Sequence, residues 1–366
     1  MTPENPNREY YPALDVLRGI AILLVIAYHN FDFLPFFKFG YLGVDLFFVL
    51  SGFLITDILL KTRNEKNWLQ NFYARRIFRI FPLYYLSLFI VLYIIPHITH
   101  VNIGYYQQHQ VWLWLYLQNW LYITNVSNHT HLLHHFWSLA IEEQFYLFWP
   151  LIFLFVKNRK IILMIALLLL AAVVLSRLFI YLHDKHNFLF TITYTFTRID
   201  GILIGSSIAL IHSVNANWIK NHVKMILFLL IAMNVVYLSM RWILPAFHDF
   251  PYIPFLGIPS FAALFGLVIY YSARVFHFPA VWHSRLLSFL GKISYGLYVF
   301  HWPVYLIIKP YFNQLTYKVL HTSAFLSQAV PAFLCTLIAV LISIISFYTI
   351  EHFFQKLKHR FYKYAC

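Results

Sequence analysis

Cysteine, acid and charge in general are scarce in this chain. Two cysteines in 366 residues, Cys335 and Cys366, cannot build a disulfide framework, a zinc site or a prenylation box, so thiol chemistry is not its theme. Only 11% of the residues are charged, against about 25% in a soluble globular chain. In their place stand 61% hydrophobic and 20% aromatic residues with a mean hydropathy of +0.67. That balance excludes an ordinary soluble domain and points to a polytopic membrane protein. No small-residue cleavage pattern follows the first apolar run, which therefore reads as a retained span and not a removable signal. No low-complexity linker, alignable inverted repeat or appended soluble domain is visible, and residues 1–366 read as a single integral-membrane domain.

What is present is a series of apolar runs, each near the ~20 residues that carry a helix across the hydrocarbon core. They fall at 14–34, 41–60, 77–97, 136–156, 161–182, 191–212, 224–243, 257–273, 289–310 and 328–354. The expected fold is all-α, a polytopic membrane helical bundle of about ten transmembrane helices. The net charge of +14 first suggests nucleic acid, so the positions of the 27 Lys and Arg decide. With the N-terminus inside, nineteen of them lie on the inner side: Arg8, six in 61–79, three in 157–160, two at 220 and 224, three in 274–292 and four in 356–363. Five lie outside and three, Arg18, Arg177 and Arg198, lie within spans. The positive-inside rule thus predicts both termini in the cytoplasm and an even number of crossings. Topology accounts for the basic balance, and no nucleic-acid partner is expected.

Ionisable residues inside a span cost free energy unless they face the protein interior, so each is a functional candidate. His29 lies about six residues before the turn at Pro35, and Asp45 about as far after the hairpin returns, so a hairpin sets them at one level. Glu142 and Glu143 of "HFWSLAIEEQFYLFWP" and Arg198 and Asp200 of "TRIDGILIG" are expected at similar depth in the outer half, and His301 of "SYGLYVFHWPV" approaches from below. In "LDVLRGIAILLVIAYHN", Arg18 and His29 are 11 residues apart. At ~100° per residue that returns to within roughly 20° of the same face, about 16 Å along the axis. Asp15, three residues before Arg18, is placed to hold its guanidinium. A cation at one end of a stripe and an imidazole at the other suit a long, thin substrate that enters phosphates first.

Arg76 and Arg79 of "NFYARRIFRIFPLYY" are spaced i, i+3, so both guanidiniums can grip phosphate. Basic residues at an inner boundary also serve topology and lipid anchoring alone. Likewise Arg198 and Asp200 could form a purely structural pair, His301 a hydrogen-bonded core histidine, and Glu142 and Glu143 residues favoured by a helix N-terminus. His131, His134 and His135 have helical ligand spacing, yet no Cys or nearby carboxylate completes a set, and no metal is expected. Sequons at Asn125 and Asn128 carry no weight without a known cellular origin. Buried His, Asp, Glu and Arg also suit the proton relay of a transporter, but that class predicts matched, broken spans in repeated halves, which are not found.

Taken in order, "LDVLRGIAILLVIAYH", "GVDLFFVLSGFLIT", "ARRIFRIFPLYY", "FWSLAIEEQFYLFWP", "RIDGILIG", "ISYGLYVFHWPV" and "SFYTIEHFF" resemble the acyltransferase family 3 membrane proteins. The resemblance implies an O-acyltransferase, most often an O-acetyltransferase, that moves an acyl group from cytoplasmic acetyl-CoA or another acyl-CoA to a sugar hydroxyl. The implied acceptor is a lipid-linked or surface glycan such as lipopolysaccharide O-antigen or exopolysaccharide, and the implied location is the bacterial cytoplasmic (inner) membrane. The family's Arg-x10-His falls on Arg18 and His29, its Arg-x-x-Arg on Arg76 and Arg79, its Ser-Gly-Phe on Ser51, Gly52 and Phe53, and its late acidic residue on Glu351. Some members carry a fused SGNH hydrolase-like domain. Here the chain runs 12 residues past its last span, which implies direct delivery or a separate periplasmic acyl-transfer protein.

On this reading Arg18, Arg76 and Arg79 take the phosphates of the donor, with Ser51 and Glu351 along its path. His29 acts as general base or as nucleophile, Asp45 orients its ring, and Glu142 and Glu143 are further catalytic acids. Ser51, six residues past Asp45 and so about 240° round the helix, is expected to face away from that pair.

Overall fold

Proline at a helix start has no N–H to orphan, and Pro12 opens the first helix, α1 (Pro12–Asn30). A 3-10 turn, Pro35–Tyr41, returns the chain into α2 (Leu42–Thr62), which closes a helical hairpin. After a short polar turn, α3 (Trp68–Phe89) continues through a π segment, Ile90–Ile94, to Ile98. Three short helices follow, α4 (Gly104–Gln108), α5 (Gln110–Trp114) and α6 (Gln118–Thr124). A 3-10 turn at His131–Phe136 leads into α7 (Trp137–Phe155), and α8 (Arg159–His183) comes next. A single turn, Thr195–Arg198, precedes α9 (Asp200–Val214), and α10 (Trp218–Ile243) follows it. A π segment, Ile253–Gly257, runs into α11 (Ile258–Arg274), followed by α12 (Arg285–Lys292), α13 (Ser294–Leu320) and α14 (Leu326–Ser346). The π segment Phe347–Glu351 joins α14 to α15 (His352–Tyr362). This computed structural model describes residues 11–99, 101–124, 131–183, 192–243, 252–275, 284–320 and 325–362.

Among the described residues there is no strand, and the chain is an all-α helical membrane bundle. Among the described residues eight helices are long and apolar enough to cross a membrane, and α9 is a shorter apolar helix. Each of the apolar runs read from the sequence overlaps one of these helices or, for 289–310, the 27-residue α13. The largest departure is the run 191–212, where helix is interrupted at Ile199 between Arg198 and Asp200. Both of those side chains are buried. The break turns two residues of opposite charge into the protein interior.

The first helix is the hub, packing against α2, α11, α12, α13 and α14. An especially close contact joins α2 and α9. A Cβ on Gly52 would lie 1.9 Å from the Ile202 carbonyl oxygen, and one on Gly205 would lie 2.1 Å from that of Val49. Each helix thus needs a glycine where the other backbone crosses it, the close approach typical of small residues between membrane helices. Gly52, in the motif Ser51-Gly52-Phe53, therefore sets the distance between the hairpin and α9. Farther out, α8 and α10 leave apolar side chains such as Phe228, Ile231 and Leu175 exposed, as helices with only lipid outside them do. Polar contacts in the middle of α10 anchor it, Asn234 donating to Ser260 Oγ at 3.0 Å and accepting from the Tyr252 hydroxyl.

Candidate active site

On α1 the spacing from Arg18 to His29 produces the expected shared stripe. Asp15 Oδ1 accepts from Arg18 Nη1 at 2.9 Å, which holds the guanidinium at the Lys- and Arg-rich end of the bundle. His29, about 16 Å along the axis, is half-buried and meets α13 and the turn before α7. Trp302 covers one side of its ring, at 4.7 Å between centroids.

Three histidines converge there. His29 and His301 are hydrogen-bonded through Nδ1 and Nε2 at 3.0 Å, and the His135 ring lies 5.2 Å from that of His301 and 6.5 Å from that of His29. His301 Nδ1 lies 2.8 Å from the Tyr298 carbonyl and 3.1 Å from that of Leu297. His135 Nε2 reaches the Val299 carbonyl at 3.4 Å. That carbonyl is orphaned for a local reason: Pro303, four residues on in α13, has no N–H to give it. The His135 ring replaces the missing helical donor and pins α13 beside α7.

Asp45 is not part of this cluster, and the expectation that it orients His29 is corrected by the structure. It is fully buried, and its Oδ1 pairs with Arg198 Nη2 at 2.7 Å. Arg198 also approaches Asp200 at 3.6 Å, and Asp200 pairs with Arg177 at 2.8 Å. Arg177 donates further to the carbonyl oxygens of Thr197, at 2.6 Å, and Pro254. Two acids and two guanidiniums form a self-neutralising ladder that ties α2 to α8, the Ile199 break and the π segment before α11. An arginine with several donors outcompetes a neutral imidazole for a buried carboxylate, because the charge must be compensated where no water reaches it. The pairing of Arg198 with Asp200 stands, with Asp45 and Arg177 as its further members.

Glu142 and Glu143 are likewise displaced from the expected level. Glu142 Oε1 accepts from Ser51 Oγ at 2.9 Å and its Oε2 from the Tyr146 hydroxyl at 3.2 Å. It lies seven residues past His135, about 10 Å nearer the basic end. Ser51 does face away from Asp45, and it faces Glu142. The helix positions 135, 138, 142 and 146 share one face, since they follow i, i+3, i+7 and i+11. This stripe is the antiparallel counterpart of the one on α1: His135 sits opposite His29, and Tyr146 is within electrostatic reach of Arg18. Between the ends, Ser138 Oγ and the Tyr298 hydroxyl approach to 2.5 Å, and Tyr298 donates to the His135 carbonyl at 2.8 Å.

At the basic end, Arg76 stacks over Tyr146 at 5.3 Å and Phe72 at 5.7 Å. Arg79 is exposed and acts electrostatically on Arg18, Arg76, Glu142 and Glu351. Glu143 is half-buried within reach of Arg76. Glu351 is buried at the end of its π segment, with Oε1 facing the backbone of Gly296 on α13. A shallow surface recess lined by Trp68, Phe72, Arg75 and Arg76 opens beside the cluster. The expected donor-binding residues Arg18, Arg76, Arg79, Ser51 and Glu351 therefore gather at this end, joined by Glu142 and Glu143.

His135 is the member that spacing alone did not single out for chemistry. A signal existed: 135 to 146 repeats the 11-residue interval from 18 to 29, and Pro303 leaves a carbonyl in need of a donor. Among the described residues no group of three or more His, Cys, Asp or Glu is arranged to hold a metal ion. The His131 side chain, Cys366 and both sequons lie outside the described residues.

Three comparisons bear on what such a site does. A family model described as an acyltransferase domain matches residues 11–349. The chain is similar to the peptidoglycan O-acetyltransferase OatA of Listeria monocytogenes serovar 1/2a, with 35% identity over 329 residues covering 83% of this chain and 51% of the relative. It is also 31% identical over 323 residues to the O-acetyltransferase OatA of Staphylococcus aureus strain NCTC 8325, covering 83% of this chain and 52% of that one. The chain spans about half the length of the curated relatives it matches. No solved structure matches it.

Proposed function

The chain belongs to the acyltransferase family whose domain model spans its residues 11–349, and on that footing we propose that it is a membrane O-acetyltransferase of a cell-wall glycan. The donor is acetyl-CoA, taken from the side of the membrane that the Lys and Arg distribution marks as cytoplasmic. The acceptor is a sugar hydroxyl of peptidoglycan, the glycan in the name of the Listeria relative. Those names lend no support to lipopolysaccharide or exopolysaccharide. One observation carries the reading: a polar stripe on α1 runs from the His29 imidazole to the Arg18 guanidinium about 16 Å away, and Arg76 and Arg79 of α3 gather at the Arg18 end.

Arg18, Arg76 and Arg79 hold the donor's phosphates with planar, multi-donor guanidiniums, which recognise phosphate better than a point charge does. The pantetheine arm runs between the polar stripes of α1 and α7, past Glu142 held by Ser51 and Tyr146. The thioester carbonyl arrives beside His29. His29 Nε2 takes the proton of the acceptor hydroxyl as the hydroxyl oxygen attacks the carbonyl carbon, the carbon–sulfur bond breaks, and the imidazolium returns the proton to the departing thiolate.

The test is transfer of labelled acetyl from acetyl-CoA to peptidoglycan fragments by the detergent-purified protein. His29→Ala is expected to lower kcat by at least about 10²-fold, the lower end for general acid–base catalysis. Arg79→Ala is expected to raise KM for acetyl-CoA while kcat is largely kept. Transfer that survives His29→Ala sinks the scheme. Acetylated protein captured without any acceptor would recast His29 as a nucleophile.

A further inference from the structure

The part of the carboxylate in a hydrolase triad falls, in this protein, to a second histidine. We infer that His301 is the positioning residue of His29, fixing its tautomer through a chain of hydrogen bonds that begins at two backbone carbonyls. The inference rests on His29 being the proton acceptor proposed above.

A backbone carbonyl only accepts, so His301 Nδ1, 2.8 Å from the Tyr298 oxygen and 3.1 Å from the Leu297 oxygen, carries a hydrogen. His301 is completely buried, and among the described residues no carboxylate is paired with it. A lone buried imidazolium is costly, so the ring is neutral and its Nε2 holds a lone pair. That lone pair faces His29 Nδ1 at 3.0 Å, which makes His29 Nδ1 the donor. A neutral His29 with its hydrogen on Nδ1 has the lone pair on Nε2. The nitrogen left to react is thereby selected by two carbonyls on another helix, in concert with the Val25 carbonyl one turn earlier on α1, to which the His29 ring also hydrogen-bonds.

Three further contacts keep this chain in place. His135 satisfies the Val299 carbonyl that Pro303 orphans, and Tyr298 donates to the His135 carbonyl at 2.8 Å. Trp302 packs over the His29 ring. The turn of α13 that carries His301 is therefore pinned from the α7 side, and its register relative to His29 is set.

The relay also acts in the transition state. When His29 Nε2 takes a proton, its Nδ1–H becomes a cationic donor, and a hydrogen bond with one ionised partner is roughly twice as strong as a neutral one. His301 thus supports the charged form more than the resting form, which is where a gain in rate originates. Unlike an aspartate it adds no negative charge, so His29 stays neutral at rest.

The experiment compares His301→Gln, whose amide oxygen restores an acceptor facing His29, with His301→Leu, which removes it at similar volume. Acetyl transfer is measured with acetyl-CoA and peptidoglycan fragments, and folded protein is counted by size exclusion. His301→Leu is expected to lower kcat by about 10- to 150-fold, the span of one charge-assisted hydrogen bond, with KM for acetyl-CoA nearly unchanged. His301→Gln is expected within about tenfold of the parent protein. Folded His301→Leu with full kcat overturns the inference, as does a His301→Gln variant no better than His301→Leu. If His29→Ala itself retains transfer, the underlying reading of His29 fails instead, and the two failures are told apart by that one control.

Discussion

Replacing Asp45 by asparagine separates the role its position suggests from the one its contacts assign. Asp45 is 0% exposed and Arg198 only 3%, with 2.7 Å between Oδ1 and Nη2. The Asp45→Asn change would leave Arg198 with only Asp200 as a counterion, at 3.6 Å, and that carboxylate already serves Arg177 at 2.8 Å. Removing one partner of a buried pair costs about 3–5 kcal/mol, because the remaining charge has neither water nor a counterion. Removing both partners is often neutral, and Arg177 and Asp200 remain as a closed pair. Asp45→Asn should therefore lose most of its thermal stability in detergent, while Asp45→Leu combined with Arg198→Met recovers within about 1 kcal/mol of the parent protein. Acetyl transfer per folded molecule should fall far less in Asp45→Asn than in His29→Ala. An Asp45→Asn protein that melts like the parent, or whose folded fraction is as inactive as His29→Ala, would refute a structural role for Asp45.

Two more outcomes follow from the packing. Gly52→Ala places a methyl 1.9 Å from the Ile202 carbonyl oxygen, a backbone atom that cannot swing aside. It should cost about 1–3 kcal/mol or more and sharply reduce the monodisperse fraction on size exclusion, whereas Ser51→Ala beside it leaves that fraction unchanged and raises KM for acetyl-CoA by freeing Glu142. His135→Phe orphans the Val299 carbonyl at a cost of about 1–3 kcal/mol. Pro303→Ala returns an N–H to that carbonyl, so the cost of His135→Phe should shrink in its background. Equal costs of His135→Phe in both backgrounds, measured by thermal unfolding, would refute the link.

Several parts of this site were legible in the chain because they depend on one helix at a time. The stripe from Asp15 and Arg18 to His29 is a matter of helical period, and the structure keeps it. The same holds for Ser51, which lies about 240° round α2 from Asp45 and meets Glu142 on that side. The errors concern relations between helices. Equal counts from a turn placed His29 and Asp45 at one level, yet level does not determine which side chain a carboxylate meets. Arg198, brought inward by the break at Ile199, offers Asp45 a full charge where His29 offers a neutral ring.

Membrane embedding, the spacing of the helices, the side rich in Lys and Arg and the helix faces that carry polar groups can all be read along the chain. Each of these follows from local chemistry: transfer of apolar residues out of water, and a period of about 3.6 residues per turn. Helix packing settles which partner each polar group meets. It paired His29 with His301 and not with Asp45, gathered three guanidiniums from α1 and α3 at one end, and set His135 against a carbonyl that a proline on another helix had left open. The physical reason is that a buried polar group must be satisfied by whatever neighbour packing brings to it, and that neighbour is chosen by where two backbones approach, as at Gly52 and Gly205.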